Sequence, residues 1–177
     1  MHRFRKLSVL VIVVGGVFCD PLAATALGLV ISDQGRSDYT IVIASNASPS
    51  ERHGAEELQM FLEKISGAKL PIATDREAVN GPMILVGQSE KMDALGIRIN
   101  FASLGKEGFV IRTVPPHLVL AGGRTRGSLY AVYTFLEDQL GCRWFSPTVS
   151  RIPKRERIEL GPVSDRQVAV LECRDLY

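Results

Sequence analysis

Residues 48 to 67 contain a full set of start and stop signals for a helix, and this segment restricts the fold more than any other. Ser48 with Glu51 three residues later forms a capping box, Pro49 takes the first helical position, and Gly67 supplies a stop. The spacing predicts a helix over roughly 49 to 66. Ala55, Leu58, Phe61, Leu62 and Ile65 recur on one stripe, while Glu51, Glu56, Glu57, Glu63 and Lys64 lie largely off it. A helix with one apolar stripe has to bury it against another element. The preceding run Tyr39 to Ala44 is β-branched, aromatic and apolar, which reads as a strand buried on both faces. A helix laid on a sheet is the expected unit.

The rest of the chain extends that unit. Residues 27 to 38 read as a lead-in loop or short edge strand, Leu70 to Ala73 as a short strand, and Met83 to Val86 as a stronger one. Ser89 to Leu95 reads as a brief helix closed by Gly96. Gly108 to Thr113 and His117 to Ala121, separated by Val114-Pro115-Pro116, read as an antiparallel hairpin. A second long helix is predicted from Thr125 to Leu140, with Leu129, Val132, Tyr133, Leu136 and Leu140 on one face and Gly141 at its stop. Arg143 to Phe145 suits a short strand ended by Pro147, Arg151 to Arg157 a charged surface stretch, and Ile158 to Leu160 a last strand. With 177 residues, 46% of them hydrophobic, the chain is long and apolar enough for one packed core. The elements read as one domain of helices packed on a sheet.

The first 26 residues have the three parts of a secretory signal: basic Arg3, Arg5 and Lys6, an apolar stretch from Leu7 to Phe18, and small residues ending at Ala24-Thr25-Ala26. An uncleaved anchor is the alternative, but the apolar stretch has 12 residues, and a spanning helix needs about 20. A lipidated Cys19 is a further alternative, and bulky Phe18 before it argues against that. Cleavage after Ala26 removes three of the 21 basic residues and one of the 19 acidic ones, leaving 18 of each. The mature part therefore has no basic field for nucleic acid, and no charge draws it to a membrane surface. Export to the periplasm or outside the cell is expected. Cys142 and Cys173 remain, and an oxidising compartment would permit them to pair. A domain of this size does not need stapling, which favours two buried thiols.

Chemistry is sparse. The histidines are His2, His53 and His117, with no Ser/His/Asp order and no metal-ligand spacing. His53 reads as a solvated helix residue. Glu137 and Asp138 are adjacent on a helix, so they point about 100° apart and form no acid pair. Gly122-Gly123-Arg124-Thr125-Arg126-Gly127-Ser128 is a glycine-rich turn between a strand and a helix, where backbone amides could hold an anion. It matches neither phosphate-binding glycine pattern, and the plainer reading is a tight turn with Thr125 capping the helix. No catalytic, cofactor-binding or metal-binding residue is assigned, and no cofactor is expected. The last run, Val168 to Cys173, is strand-like and close to the end of the chain, so residues 166 to 177 are read as the start of another domain.

The stretch from Arg124 to Glu137, continued by Leu140-Gly141-Cys142-Arg143-Trp144-Phe145-Ser146-Pro147, resembles the N-terminal domain of α-glucuronidases of glycoside hydrolase family 67 and of related bacterial hydrolase-like proteins. Ala55-Glu56-Glu57-Leu58, Ser66-Gly67-Ala68-Lys69-Leu70-Pro71 and Ile84-Leu85-Val86-Gly87 agree with it, so the resemblance covers about 39 to 160. It implies an α+β fold, a two-layer domain like the second domain of β-hexosaminidases, spanning 27 to 165, whose mixed sheet carries two main helices on one face, followed by a (β/α)₈ catalytic barrel that this chain does not contain. It also implies a carbohydrate substrate, such as xylan fragments. Leu171-Glu172-Cys173-Arg174-Asp175 looks like the first barrel strand, and the resemblance makes Arg174 a substrate contact. The family's catalytic acids lie in the barrel, so none carries over. A free-standing carbohydrate-binding or interaction module is the rival, with Trp144, Tyr130 and Tyr133 stacking on sugar rings, although Tyr133 falls on the predicted core stripe.

Overall fold

The computed structural model describes residues 28–168. Along the chain run β1 (Leu29–Asp33), β2 (Thr40–Ile43), α1 (Pro49–Ser66), β3 (Ile72–Thr74), β4 (Met83–Val86), α2 (Glu90–Ala94), β5 (Phe109–Val114) and β6 (His117–Gly122). They are followed by α3 (Gly127–Thr134), β7 (Arg143–Ser146), β8 (Val149–Arg151), β9 (Arg157–Leu160) and β10 (Ser164–Gln167). A 3-10 turn at Phe101–Leu104 precedes β5, and a π-helical segment at Phe135–Gln139 continues α3.

Six strands form the central sheet in the order β10-β5-β6-β4-β2-β3. β3, β2, β4 and β6 are mutually parallel, and β5 pairs antiparallel with β6 and β10. Side chains alternate along the pleat. Ile41, Ile43, Ile84, Val86, Leu118 and Leu120 join the core under α1 and α3, whereas Val42, Met83, Leu85, Val119 and Ala121 join a second cluster on the opposite face. Burial on both faces explains why these strands are apolar throughout.

α1 forms as its signals require. Ser48 Oγ accepts the Glu51 N–H at 3.2 Å, Glu51 Oε2 accepts the Ser48 N–H at 2.7 Å, and Gly67, at φ 80°, donates to Glu63 O at 2.8 Å. Ala55, Leu58, Phe61, Leu62 and Ile65 are all buried. α3 starts later than predicted, at Gly127 with Arg126 as its N-cap, and no side chain caps it. The expected Thr125 cap is not made. The buried Ser128 hydroxyl ties the turn instead, accepting the Gly122 N–H at 3.1 Å. β3 begins two residues after the predicted strand, because Leu70 turns into the core before the pairing starts.

Two features lie outside the expected layers. β1 settles the choice between loop and edge strand: it pairs antiparallel with β9 as a separate ribbon, whose Leu29, Ile31, Ile158 and Leu160 close the α1 side of the core. β7 and β8 form a small hairpin. The charged stretch around it does specific work at helix ends. Lys154 Nζ donates to Lys64 O and the Arg155 N–H to Ile65 O, at the end of α1. Arg143 Nη1 donates to Glu137 O and Cys142 O, both at 2.7 Å, where α3 and its π-helical continuation finish. At the end of α1 these donors satisfy carbonyls with no helical partner, and the cations at both ends complement the helix dipoles.

β10 carries the sheet pairing through Gln167. The predicted signal peptide, Cys19, Cys173 and Arg174 lie outside the described residues, as do residues 169 to 177 of the further domain expected from 166; Arg166 and Gln167 pair within the central sheet as part of β10. No helix among the described residues is long and apolar enough to cross a membrane.

Candidate functional site

The glycine-rich turn is a packing device. Gly108, Gly122 and Gly127 meet where β5 begins, β6 ends and α3 begins. A Cβ on Gly122 would stand 2.5 Å from Gly108 O, and one on Gly127 would strike the same oxygen. Only glycine allows three backbone segments to approach so closely. Four of the turn's amides are engaged inside the fold: Gly122 donates to Ser128 Oγ, Gly123 to Gly108 O at 2.9 Å, Arg126 to Lys106 O at 3.3 Å and Gly127 to Gly123 O at 2.8 Å. The glycines make the tight turn, as the plainer reading expects.

The ionisable residues singled out from sequence, His53, His117, Glu137, Asp138 and Cys142, do not converge. His53 is exposed on α1. His117 is half-buried at the start of β6, and its Nδ1 accepts the Met83 N–H at 3.2 Å. Burial holds its pKa below the ordinary histidine value. Asp138 is exposed while Glu137 is half-buried. Cys142 is fully buried, and burial pushes its thiol pKa up. Among the described residues no group of three or more His, Cys, Asp or Glu side chains is placed to hold a metal ion.

The aromatic residues are better organised. Trp144 stands edge-on to both Phe61 and Tyr133, with centroids 5.3 Å apart and interplanar angles of 84° and 85°. The Tyr133 hydroxyl donates to Glu57 Oε2 at 2.9 Å, and burial together with that carboxylate pushes its pKa up to about 12. These rings are used in packing, so the predicted stacking platform of Trp144, Tyr130 and Tyr133 is not presented as a flat face. Its strand neighbour Phe145 is the exposed ring, at 68%. Period-two alternation holds the signal: with Trp144 turned inward, Phe145 must turn out.

Tyr130 and Tyr133 instead line a cleft of about 450 Å³ with Phe109, Glu137, Gln167 and Val168. It runs beside α3 at the ends of β5 and β10. Val168, 42% exposed, also lines a neighbouring cleft of about 320 Å³ with Leu104, Glu107 and Arg126. Three of the eight residues lining the first cleft are aromatic, none is histidine or cysteine, and Glu107, also in that lining, is engaged by Arg126 at 3.7 Å. Its chemistry suits contact with another surface more than bond breaking. Sequence reading did not find this cleft, because it joins residues from separate elements, β5, α3 and β10, that only packing brings together.

Residues 32–135 match the family model described as glycosyl hydrolase family 67 N-terminus. No curated protein sequence matches the chain. Among solved structures, a family 115 4-O-methyl-α-glucuronidase with specificity for decorated arabinogalactans is similar at 21% identity, over 78% of this chain and 18% of that one, with TM-score 0.52. The N-acetyl-β-hexosaminidase of Streptomyces plicatus is similar at 16% identity, over 83% of this chain and 24% of that one, with TM-score 0.52. A family 20 β-N-acetylhexosaminidase of Streptomyces coelicolor is similar at 14% identity, with the same coverage and TM-score 0.51. At these identities the likeness concerns the fold, and the chain spans about a fifth to a quarter of the length of each. The hexosaminidase-like mixed sheet and the match over more than half of the chain agree: it belongs to the glycosyl hydrolase family 67 N-terminus family, an accessory domain of glycoside hydrolases.

Proposed function

We propose that this chain is the non-catalytic N-terminal part of an exported, α-glucuronidase-like glycoside hydrolase that acts on plant polysaccharide fragments such as xylan. The catalytic domain follows in the full protein and packs on the aromatic cleft beside α3. One observation carries this reading: the cleft of Phe109, Tyr130 and Tyr133 lies beside Gln167 and Val168, the point from which the chain continues. A domain joined there would cover apolar surface that solvent otherwise meets. Export rests on the tripartite first 26 residues, and Arg174 in the continuing chain is kept as a sugar contact.

The experiment is to read the gene beyond the Tyr177 codon and to assay two products on an aryl glucuronide, the 177-residue chain and the extended one. The short chain should show no turnover and the long one should be active. Turnover by the short chain, or a native stop codon with no domain after it, would overturn the proposal.

A further inference from the structure

The parallel strands β3, β2, β4 and β6 bring their carboxyl ends to one edge of the sheet. There the connections leaving β2 and β4 separate: α1 packs on one face, whereas Met92 of α2 packs on the other. In open α/β sheets a divergence of this kind opens a crevice between the two outgoing loops, and that is where ligands bind. Here the crevice is a cleft of about 220 Å³ between Ser45-Asn46 after β2 and Gln88-Ser89 after β4. Asp75 and Arg76, following β3, and Arg124, following β6, complete its wall.

The cleft is held in shape from below. Asp75 Oδ1 accepts the Ser45 N–H at 2.9 Å and Oδ2 accepts the Glu90 N–H at 3.1 Å, so one buried carboxylate clamps three loops. Burial opposes its charge, but these amides and nearby Arg76 outweigh burial and hold its pKa below the ordinary value. Gly87, at φ 77°, lies against the Glu51 carboxylate, where any Cβ would collide. Among the described residues five buried polar side-chain atoms have no hydrogen-bond partner, and two of them, on Ser89 and Glu51, belong to this corner of the fold. Ser89 is 5% exposed and lines the cleft, and its Oγ has no hydrogen-bond partner; nor has Oε1 of Glu51, 1% exposed. Buried polar atoms are rarely left so, and each calls for a partner the protein itself does not supply.

The lining selects the partner's chemistry. Asp75, Glu90 and Asp93 outnumber Arg76 and Arg124, and Arg124 is already committed, donating to Asn46 O and standing 4.0 Å from Glu51 Oε2. An anion is disfavoured by the acids and a cation by the two guanidinium groups. Glu90 accepts, while Arg76, Asn46 and Gln88 donate, which matches hydroxyl groups that do both. The volume lies below the roughly 300 Å³ at which drug-sized sites begin, which suits a single ring. We propose that this cleft binds one neutral sugar ring. The proposal goes beyond the accessory-domain reading and stands whether or not a catalytic domain follows.

The test is amide NMR of the ¹⁵N-labelled chain, titrated separately with xylose, glucose, glucuronate and inorganic phosphate. A neutral sugar should give saturable shifts at Ser45, Asn46, Gln88, Ser89 and Arg124, with a dissociation constant in the millimolar range. Arg124→Ala and Gln88→Ala should each weaken it about tenfold. The exposed Gln88 side chain has no hydrogen-bond partner among the described residues, so its variant keeps the fold and separates lost binding from lost structure. The proposal is overturned by no saturable shift with either neutral sugar, by tighter binding of phosphate or glucuronate, or by binding that Gln88→Ala leaves unchanged.

Discussion

On one side of the central sheet the strands meet α1 and α3, a broad cover that adds Leu58, Phe61, Phe135 and Leu136 to the core. On the other side they meet α2, five residues long, and the segment through Ile97 and Phe101. The same strands supply alternate residues to both sides, so the difference lies in what covers them. The first side resembles the interior of a larger protein. The second is a thin sheath, and the polar cleft opens at its edge. Stability and candidate function are thus divided across one sheet.

Four expectations test that division, in decreasing order of effect. Phe135→Ala on the thick side should cost about 3–5 kcal/mol, while Met92→Ala under the thin cover should cost nearer 2 kcal/mol, because a short helix can settle into the gap. Urea unfolding of both variants checks this, and equal costs would break the comparison. Gly127→Ala forces a methyl group against Gly108 O where α3 meets β5 and should cost about 2–3 kcal/mol; a thermal melt unchanged from the parent would show that the three-segment contact is looser than described. Ser48→Ala removes half of the capping box on the thick side and should cost about 1 kcal/mol by the same unfolding measurement.

The smallest effect belongs to the thin side. His117 alternates with Val119 and Ala121 along β6, so it lies on that face. Its folded pKa is held below its unfolded value by burial, so the unfolded chain takes up a proton first as pH falls. Its contribution is therefore present above about pH 6.5, the ordinary histidine value, and is lost as pH drops from there through the folded pKa. His117→Gln should flatten that part of the stability–pH curve. An unchanged slope would place the titration elsewhere.

How much of this could be read beforehand differs between the two sides. α1, with its capping box, Pro49 and Gly67, was legible to the residue, since each signal acts within one helical turn. The strands β2, β4, β5 and β6 were legible from apolar runs bounded by turns. The cover of the second side was not: Met92, Ile97 and Phe101 are spread over an irregular segment with no period to follow. The candidate sites were less visible still. The aromatic cleft joins Phe109, Tyr130 and Val168, and the polar cleft joins loops after four strands.

By itself, then, the sequence determined the main helices and strands, because caps, periods and turn glycines express local backbone preferences, while the mixed sheet was expected only from the family resemblance. Only the tertiary structure decided that Arg143, Lys154 and Arg155 finish the two long helices, that the amides of Gly122, Gly123, Arg126 and Gly127 are engaged inside the fold, and that Phe145 faces solvent while Trp144 packs against Phe61 and Tyr133. Each of these depends on which distant segment arrives as a neighbour. A donor, a charge or a ring has no fixed role until packing supplies its partner or leaves it to water.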